Sequence, residues 1–367
     1  MNIHRIMLVV LAIGIAAITP GLKAAPDREK VVKINDGPYV FFKEKQYDAF
    51  WVCDGEVIKN TYVSTAAPTV FNRCNMPAVI YGMETPETKI LSYAGDFPVA
   101  ALSDFHGQYD LMITLLQNNR VIDENKQWSF GNGHFVITGD IFDRGDKVTE
   151  ILWFLYDLER QAERVGGKVH LTLGNHEVMV LNGKLRYLAS KYHAVSKKLN
   201  VDFESLFGKD TILGSWLRSK PVLVKINNML FAHGGFHPSL AEKNYSLQEI
   251  NRVFKDNLVE SELPNKRKGF AKFLHRRDGP IWYRGYFAKE RNKDNGATAQ
   301  EIEFLLNHFK VKHLIVGHTS QDKIETRFGG KVIAIDSSIK RGKYGEILFV
   351  DNGKMWRGTL SGDKLPL

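Results

Sequence analysis

The chain has 367 residues, of which 44% are hydrophobic and 25% charged, and its formal net charge is +9. These values are typical of a soluble globular protein with ample material for a core. No internal repeat or low-complexity tract is present, which excludes solenoid and disordered architectures.

Residues 1–24 have the pattern of a secretory signal peptide. His4 and Arg5 precede the apolar run Ile6–Thr19, and small residues follow near Ala24, where we expect cleavage. The run is shorter than the roughly 20 residues that a membrane-spanning helix needs. We therefore expect export to a periplasm or out of the cell, with no stable membrane insertion after cleavage. An uncleaved N-terminal anchor is the alternative.

The positive net charge of the chain is compatible with several kinds of binding partner. Cleavage would remove Arg5 and Lys23 and lower the formal charge from +9 to +7. A modestly basic exported protein can bind nucleic acid, an anionic surface or phosphorylated substrates. The basic residues of the chain do not form an interleaved basic–aromatic stripe, so we expect no nucleic-acid partner. The one dense basic segment is 265–277. A loop that attracts acidic phosphopeptides is its other interpretation.

Residues 25–96 predict a small β-rich N-terminal module. Three short segments rich in aromatic and β-branched residues occur there, and the pairs Asp36-Gly37 and Asp54-Gly55 are turn signals between strands. The segments are "PYVFFKE", "AFWVC" and "EVIKNTYV".

The only two cysteines, Cys53 and Cys74, lie in this module. In an oxidising compartment a close, even pair predicts a disulfide. Two buried free thiols are the alternative.

Residues 97–367 predict an α/β catalytic domain. Short apolar runs alternate with amphipathic helical patterns at 109–119 and 147–164, which is a βαβαβ series. Hairpin-like pairs of strands follow, and Asn352-Gly353 is the strongest of their turn signals. Helical patterns return at 246–261 and 298–309.

Ligand-type side chains follow five of the predicted strands. The carboxyl ends of strands in open α/β sheets face the ligand crevice, so these residues should converge on one place. Taken singly, each has a structural alternative, such as an Asx turn, a helix N-cap or a loop histidine. In chain order they are Asp104 and His106, then Asp140, Asp143 and Arg144, then Asn175, His176 and Glu177, then His233, and finally His318.

The chemistry of this set indicates divalent metal ions. Carboxylates, an amide oxygen and imidazoles suit Mn, Fe or Zn, and thiolates are absent from the set. The ligands are too numerous for one ion, which favours two ions that share a carboxylate. Such a pair can clamp a phosphate and convert a bound water into hydroxide at neutral pH.

The motifs resemble those of the phosphoprotein phosphatase branch of the calcineurin-like metallophosphoesterases. The pattern of that branch is GDxHG, GDxxDRG, GNHE, HGG and a late GH, and here it is "SDFHG", "GDIFDRG", "GNHE", "HGG" and "GHT". The match runs from Ala101 to about Ser338. The segment "GPIWYRGYF" resembles the bacterial Shewanella-like protein phosphatases, of the cold-active tyrosine phosphatase type. The resemblance implies a metallophosphoesterase fold, a central β-sandwich flanked by helices.

The resemblance also implies a role for each motif residue. The first metal would be bound by Asp104 and His106, the second by Asn175, His233 and His318, and Asp140 would bridge the two. His176 would be the general acid and Asp143 its orienting partner. The phosphate would be held by Arg144 together with Asn175 and a second arginine. Arg284 is the candidate for that second arginine, with Arg276 and Arg277 as alternatives.

Two departures from the family pattern bear on the substrate. Ser103 stands where the pattern has glycine, and "IAIDSSI" replaces the "SAPNY"-type segment of the eukaryotic serine/threonine enzymes. Asp336 in that segment is a candidate for ordering the site. The aromatic residues at 282–287 could form a wall for a substrate ring, and at their spacing a core role is the stronger interpretation.

The leading hypothesis is a metal-dependent phosphomonoesterase that acts on phosphorylated protein or peptide, with phosphotyrosine favoured. An exported phosphodiesterase or nucleotide hydrolase on the same scaffold is the alternative, since diadenosine polyphosphate hydrolases carry a similar GDxxDRG motif. An exported binding module without activity is the third hypothesis, and it predicts lost ligands, whereas none is missing. The sequence leaves the oligomeric state open.

Overall fold

The N-terminal segments form a three-stranded antiparallel sheet in the order β1–β2–β3. The computed structural model describes residues 33–65, 67–81, 90–287 and 296–367, so the predicted signal peptide lies outside the described residues. Residues Lys33–Leu367 form one compact unit. The strands are β1 (Asp36–Lys43), β2 (Gln46–Cys53) and β3 (Glu56–Val63).

Of the two turn signals in this sheet, one is confirmed and one is wrong. Asp54 and Gly55 have φ values of 50° and 86° and connect β2 to β3. Asp36 instead begins β1, at an irregularity in its pairing with β2. The Asp36 carboxylate is buried and lies 3.0 Å from Lys191 Nζ, so this residue takes part in a tertiary ion pair rather than in an exposed turn.

A two-stranded hairpin follows, which the sequence patterns did not predict. It consists of β4 (Thr69–Arg73) and β5 (Met76–Ile80), joined through Cys74 and Asn75, which both have positive φ. The disulfide Cys53–Cys74, with a Cα–Cα distance of 6.0 Å, links the end of β2 to this turn. The predicted disulfide is therefore present in the structure.

Two six-stranded mixed sheets carry the rest of the chain. The first has the order β17–β16–β15–β7–β8–β9, and β7, β8 and β9 are parallel. The second has the order β13–β14–β12–β11–β10–β6, and β11, β12 and β14 are parallel. The strands are β6 (Ser92–Tyr93), β7 (Val99–Leu102), β8 (His134–Ile137), β9 (Lys168–Leu171), β10 (Leu223–Ile226), β11 (Met229–Ala232), β12 (His313–Val316), β13 (Glu325–Arg327), β14 (Val332–Ala334), β15 (Ile347–Asp351), β16 (Lys354–Gly358) and β17 (Lys364–Pro366).

The two sheets pack face to face, which makes the predicted β-sandwich. Alternate side chains of the inner strands, such as Ala101 and Val136 from one sheet and Phe231 and Ile315 from the other, share one buried apolar cluster. The outer faces of the sheets join a larger core together with the helices and the N-terminal strands. The α/β architecture predicted from the sequence, a central β-sandwich flanked by helices, is confirmed.

The helices cover the outside of the sandwich. Within the described ranges, no helix combines the length and the apolar character that crossing a membrane requires. The predicted boundary after residue 96 lies between β6 and β7 and stays a prediction. The α-helices are α1 (Tyr109–Asn118), α2 (Val148–Arg164), α3 (Asn175–Leu181), α4 (Ser190–Leu199), α5 (Ile212–Ser219), α6 (Ser239–Glu242), α7 (Leu247–Asp256), α8 (Gly269–Leu274) and α9 (Ala299–Phe309).

Candidate active site

The five predicted strand ends meet at one edge of the sandwich. Strands β7, β8 and β9 are adjacent in one sheet and β11 and β12 are adjacent in the other, and all five end on the same side. The side chains that follow them line a cavity of about 510 Å³. The ligand-type residues Asp104, His106, Asp140, Asn175, His176 and His318 all contribute to its wall.

The backbone at these strand ends is held in the left-handed region. Asp104 and Asp140 both have a φ of 59°, and His318 has a φ of 65°. A non-glycine residue in this region costs on the order of 1–3 kcal/mol, and such residues cluster at functional sites. Glycine is required beside them, because a Cβ on Gly174 would lie 2.3 Å from Asp140 Oδ1.

Three of the predicted ligands converge on a fourth, His233. Its Nε2 atom lies 3.0 Å from Asn175 Oδ1, 3.0 Å from His318 Nδ1 and 3.2 Å from Asp140 Oδ2. This is the set that the sequence assigned to the second metal together with the bridging carboxylate. All four residues are buried.

A second convergence lies on the other side of Asp140. His106 Nε2 is 3.5 Å from Asp140 Oδ2 and 3.8 Å from Asp104 Oδ1. The same Oδ2 atom of Asp140 therefore faces both clusters, as a bridging ligand must. The roles of these residues as ligands remain proposals, and the structure brings every one of them together.

Hydrogen bonds fix the orientation of two of the imidazoles. His106 Nδ1 donates to the carbonyl oxygen of Phe142 at 2.7 Å, and His233 Nδ1 donates to that of Thr138 at 2.7 Å. Each bond leaves Nε2 as the nitrogen with a lone pair, directed into the cluster. His106 Nε2 is buried and has no hydrogen-bond partner among the described residues.

Burial and the neighbouring carboxylates have opposite effects on the pKa values of the histidines at this site. Burial lowers the pKa of His106 to about 3 and holds that of His318 well below its ordinary value. Burial would lower the pKa of His233 too, but the carboxylates of Asp140 and Asp104 outweigh it and raise that pKa to about 9. The carboxylates thus create a strongly negative potential where the imidazole nitrogens converge.

His176 has a different partner from the other histidines. Its Nδ1 atom lies 2.5 Å from Asp143 Oδ2, and its backbone N–H donates to Asp140 Oδ1 at 2.9 Å. Burial opposes protonation of the ring, but Asp140 and Asp143 together raise the pKa of His176 above its ordinary value. The structure therefore places the predicted acid and its predicted orienting carboxylate in direct contact.

Glu177 supports the loop that carries Asp140. Its buried carboxylate accepts hydrogen bonds from the backbone N–H groups of Asp140, Ile141 and Gly174 at 2.8, 2.7 and 2.8 Å. The N–H of Phe142 approaches at 3.4 Å. The sequence placed Glu177 in the motif without giving it a role, and this fixation of the β8 and β9 loops is that role.

A model of the calcineurin-like phosphoesterase family matches residues 97–322 of the chain. The chain belongs to the calcineurin-like phosphoesterases. The matched range contains every ligand-type residue described above, and the family assignment predicted from the motifs is confirmed.

This phosphoesterase is similar to one solved phosphatase structure and to two further phosphatases. The crystal structure of the cold-active protein-tyrosine phosphatase of a psychrophilic Shewanella species has a TM-score of 0.84 at 40% identity, over 91% of this chain and 99% of that one. Shewanella-like protein phosphatase 1 of Plasmodium berghei is 30% identical over 234 residues, which are 61% of this chain and 61% of that protein. Shewanella-like protein phosphatase 2 of Arabidopsis thaliana is 26% identical over 291 residues, 66% of this chain and 72% of that protein.

The donor set of this phosphoesterase fits two divalent cations. Two groups of buried ligand atoms, each within 4.8 Å of one another, contain Asp140: one with His106 and His176, the other with His233 and His318. Carboxylate, amide and imidazole donors suit borderline divalent metals. The unpartnered Nε2 of His106 and the negative potential around His233 are both relieved by cations in these positions.

Two predicted phosphate-binding arginines lie at the mouth of the site. Arg144 and Arg284 both line the cavity, and Arg284 Nη2 is 3.4 Å from His318 Nδ1. The alternatives, Arg276 and Arg277, are exposed and do not line it. The structure therefore favours Arg284 as the second arginine.

Lys340 is a cavity residue that the sequence patterns missed. Its Nζ atom lies 2.9 Å from Asp336 Oδ2 and 3.6 Å from Asp104 Oδ1, and its side chain is 16% exposed. Asp336 is buried and also accepts hydrogen bonds from Ser320 and from the Ser338 backbone, so it orients the lysine. The available signal was the spacing of four residues between Asp336 and Lys340.

Aromatic residues line the cavity, and two of them, Trp282 and Phe287, belong to the segment 282–287 that the sequence indicated. Tyr283 and Tyr286 are buried in the core, in agreement with the stronger interpretation of their spacing. Trp282 lines the cavity, with its ring 5.6 Å from that of His318. Tyr187, which no pattern indicated, lies on the opposite side, 5.4 Å from the His176 ring and beneath the Arg144 guanidinium.

Proposed function

We propose that this phosphoesterase is an exported, metal-dependent protein phosphatase that hydrolyses phosphotyrosine. The observation that carries the proposal is the geometry around Asp140. One carboxylate oxygen faces two ligand clusters, and the His176–Asp143 pair lies beside it in the same cavity. The proposed cofactor is a pair of Mn, Fe or Zn ions.

The proposed ligands are Asp104 and His106 on one side of Asp140, and Asn175, His233 and His318 on the other. When bound, two cations there supply a nucleophile by lowering the pKa of a water, and they neutralise the charge of the phosphate. The chain's own contribution is to hold these donors rigidly. Glu177 does this for the Asp140 loop through its bonds to backbone N–H groups.

Three side chains are proposed to bind the phosphate. Arg144 and Arg284 approach from different loops, and the planar guanidinium group can donate two parallel hydrogen bonds to phosphate oxygens. Asn175 lines the same cavity, and its NH₂ group can donate to the phosphate while its Oδ1 atom faces His233. Together they orient the phosphorus for attack and exclude other poses.

The leaving oxygen needs a proton, and His176 is positioned to supply it. Its Nδ1 is engaged by Asp143, so Nε2 carries the mobile proton. The Asp143 carboxylate stabilises the imidazolium form, which keeps the acid charged before transfer. General acid catalysis of this kind contributes typically 10²–10⁴-fold to the rate.

The preference for tyrosine is supported from two directions. The solved relative at 40% identity is named a protein-tyrosine phosphatase. The cavity is also lined by Tyr187, beside the His176 ring, and by Trp282, beside the His318 ring, so that aromatic side chains are within reach of a phenyl ester.

The decisive experiment removes the metals with a chelator and adds back Mn, Fe, Zn or Mg one at a time. Matched phosphotyrosine and phosphoserine peptides are then compared as substrates, with Asp140→Asn as the control. We expect activity to return with a transition metal, to favour phosphotyrosine, and to be lost in the variant. Equal or greater activity on phosphoserine would refute the tyrosine preference.

The diesterase alternative is tested in the same preparation. Bis-p-nitrophenyl phosphate is compared with p-nitrophenyl phosphate, and diadenosine polyphosphate with phosphopeptide. We expect the monoester and the phosphopeptide to be the better substrates. Preferred hydrolysis of the diester or the nucleotide would replace the protein-phosphatase proposal.

A further inference from the structure

A second cavity, of about 390 Å³, adjoins the active-site cavity. The two share Asn175, Arg186 and Trp282 as lining residues. The second cavity lies between helix α3, the loop that follows it and the end of helix α8. A chain segment attached to a phosphorylated residue in the first cavity therefore has a path into the second.

The floor and the rim of the second cavity differ in character. Val178, Met179 and Leu185 supply an apolar floor. The rim carries the exposed cations Lys184 and Arg186. This combination fits a peptide segment that packs aliphatic parts on the floor and presents negative charge to the rim.

Lys184 and Arg186 are available to a ligand. Within the described ranges, no carboxylate forms an ion pair with either side chain. The Arg186 guanidinium lies 4.7 Å over the Tyr187 ring, which holds it at the junction of the two cavities. Cation–π contact limits the conformations of the arginine without neutralising its charge.

The other charged groups of this wall are already engaged. Arg267 donates to the carbonyl oxygens of Asn257 and Leu258 at 2.6 and 2.7 Å and lies 3.5 Å from Glu260. Glu260 lies outside the cavity lining, and its charge is matched by Arg267. The charges of Lys184 and Arg186 remain as a local excess.

The basic segment 265–277 adds to this positive field. It contains six Lys or Arg residues and no acid, and it includes Arg267 and His275 of the cavity wall. A hydrogen bond from the Arg267 backbone lowers the pKa of Glu260 most, and the charges of Lys184 and Arg276, the latter from the same segment, contribute further. The segment and the rim cations thus act on the same region of the surface.

We propose that the second cavity is a specificity subsite for acidic residues that flank the phosphorylated residue of a peptide substrate. The inference deepens the proposed phosphatase function and rests on it. Lys184 and Arg186 bind the flanking Asp or Glu side chains, and the apolar floor supports the peptide. The substrate class is an acidic phosphopeptide.

The size of the preference follows from the exposure of the rim. An exposed ion pair contributes about 0.2–1 kcal/mol, so two pairs together favour an acidic peptide by about two- to thirtyfold. Since the Debye length falls from about 30 Å at 0.01 M salt to about 3 Å at 1 M, the preference should diminish at high salt.

The test compares three phosphotyrosine peptides that differ only in flanking residues, which are Glu, Ala or Lys. The readout is the ratio of kcat/KM for the Glu peptide to that for the Ala peptide, so a general loss of activity cancels. We expect a ratio of about three to ten in the native enzyme, and a ratio near one in Lys184→Gln/Arg186→Gln. The charge reversal Lys184→Glu/Arg186→Glu should favour the Lys peptide.

The matched control is Lys197→Gln/Lys198→Gln on α4, which removes the same charge from exposed residues outside both cavities. This control should retain the native ratio.

A native ratio of one, or a ratio unchanged in the rim variant, overturns the subsite proposal while leaving the phosphatase proposal intact. If no peptide is hydrolysed but p-nitrophenyl phosphate is, the protein-phosphatase proposal fails. The peptides are then tested as competitive inhibitors of p-nitrophenyl phosphate hydrolysis. Tighter inhibition by the Glu peptide than by the Ala peptide supports the subsite, and equal inhibition overturns it.

Discussion

Substitution of Glu177 tests whether hydrogen bonds to the loop backbone, and not only the ligand-type side chains, maintain this site. Its carboxylate accepts three close hydrogen bonds from backbone N–H groups in two loops, and all of these groups are buried. A buried donor left without a partner costs about 1–3 kcal/mol. We therefore expect Glu177→Ala to lower the free energy of unfolding by about 3 kcal/mol or more, and Glu177→Gln by about half as much.

One opposing effect has to be weighed. Burial and the neighbouring Asp140 carboxylate raise the pKa of Glu177, so removal of its charge relieves some repulsion. The hydrogen bonds outweigh this relief, because they lead to three separate donors in a region closed to water.

Urea unfolding of the metal-free protein measures the change directly. Glu150→Gln is the matched control, since the Glu150 carboxylate is half-buried and lies 3.4 Å from Lys191 Nζ. The control should lose about 1 kcal/mol at most. A loss below about 1 kcal/mol in Glu177→Ala would refute the reasoning.

Four further predictions address other parts of the molecule. Burial lowers the pKa of His134 to about 4 from an ordinary 6.5, so its contribution to stability is complete above pH 6.5 and is lost as the pH falls towards 4. Urea midpoints across that range should fall, and less so in His134→Gln. Breaking the disulfide by Cys53→Ser removes a cross-link with a sequence separation of 21 and should cost about 3 kcal/mol, measured by unfolding with and without reductant. Asp143→Asn should lower kcat about a hundredfold for alkyl phosphates and less for p-nitrophenyl phosphate, whose leaving group needs no acid; an equal loss on both would remove the orienting role. Lys340 lines the active-site cavity, where its ammonium group can bind the substrate phosphate. Lys340→Met should therefore raise KM for p-nitrophenyl phosphate about tenfold, with partial recovery in Lys340→Arg.

Sequence patterns predicted the position of a site residue where a ligand-type side chain immediately follows a strand. Each predicted ligand stands immediately after an apolar run, and parallel strands necessarily bring such positions to one edge. Local turn chemistry was equally reliable at Asn352-Gly353, where φ values of 48° and 74° produce the hairpin between β15 and β16. These features depend on neighbours in the sequence, which is why patterns alone predict them.

The remainder depends on contacts between distant segments. Asp36 lies in a strand, where its buried carboxylate contacts Lys191, a residue far along the chain. The choice of Arg284 over Arg276 and Arg277 depends on which loop faces the cavity, and no periodic pattern fixes that. Tyr187 was missed for the same reason. The β4–β5 hairpin had a usable signal in Asn75, whose side chain tolerates positive φ.

The partner of each imidazole distinguishes the metal ligands from the acid. His106 and His233 donate Nδ1–H to backbone carbonyl groups, which fixes the orientation of each ring and directs Nε2 into the ligand cluster. His176 instead contacts the Asp143 carboxylate, which favours the imidazolium form. A cationic ring cannot bind a metal ion and a neutral ring is a poor acid. Although His176 lies within 4.8 Å of the His106 and Asp140 ligand atoms, its partner therefore argues for proton transfer rather than coordination.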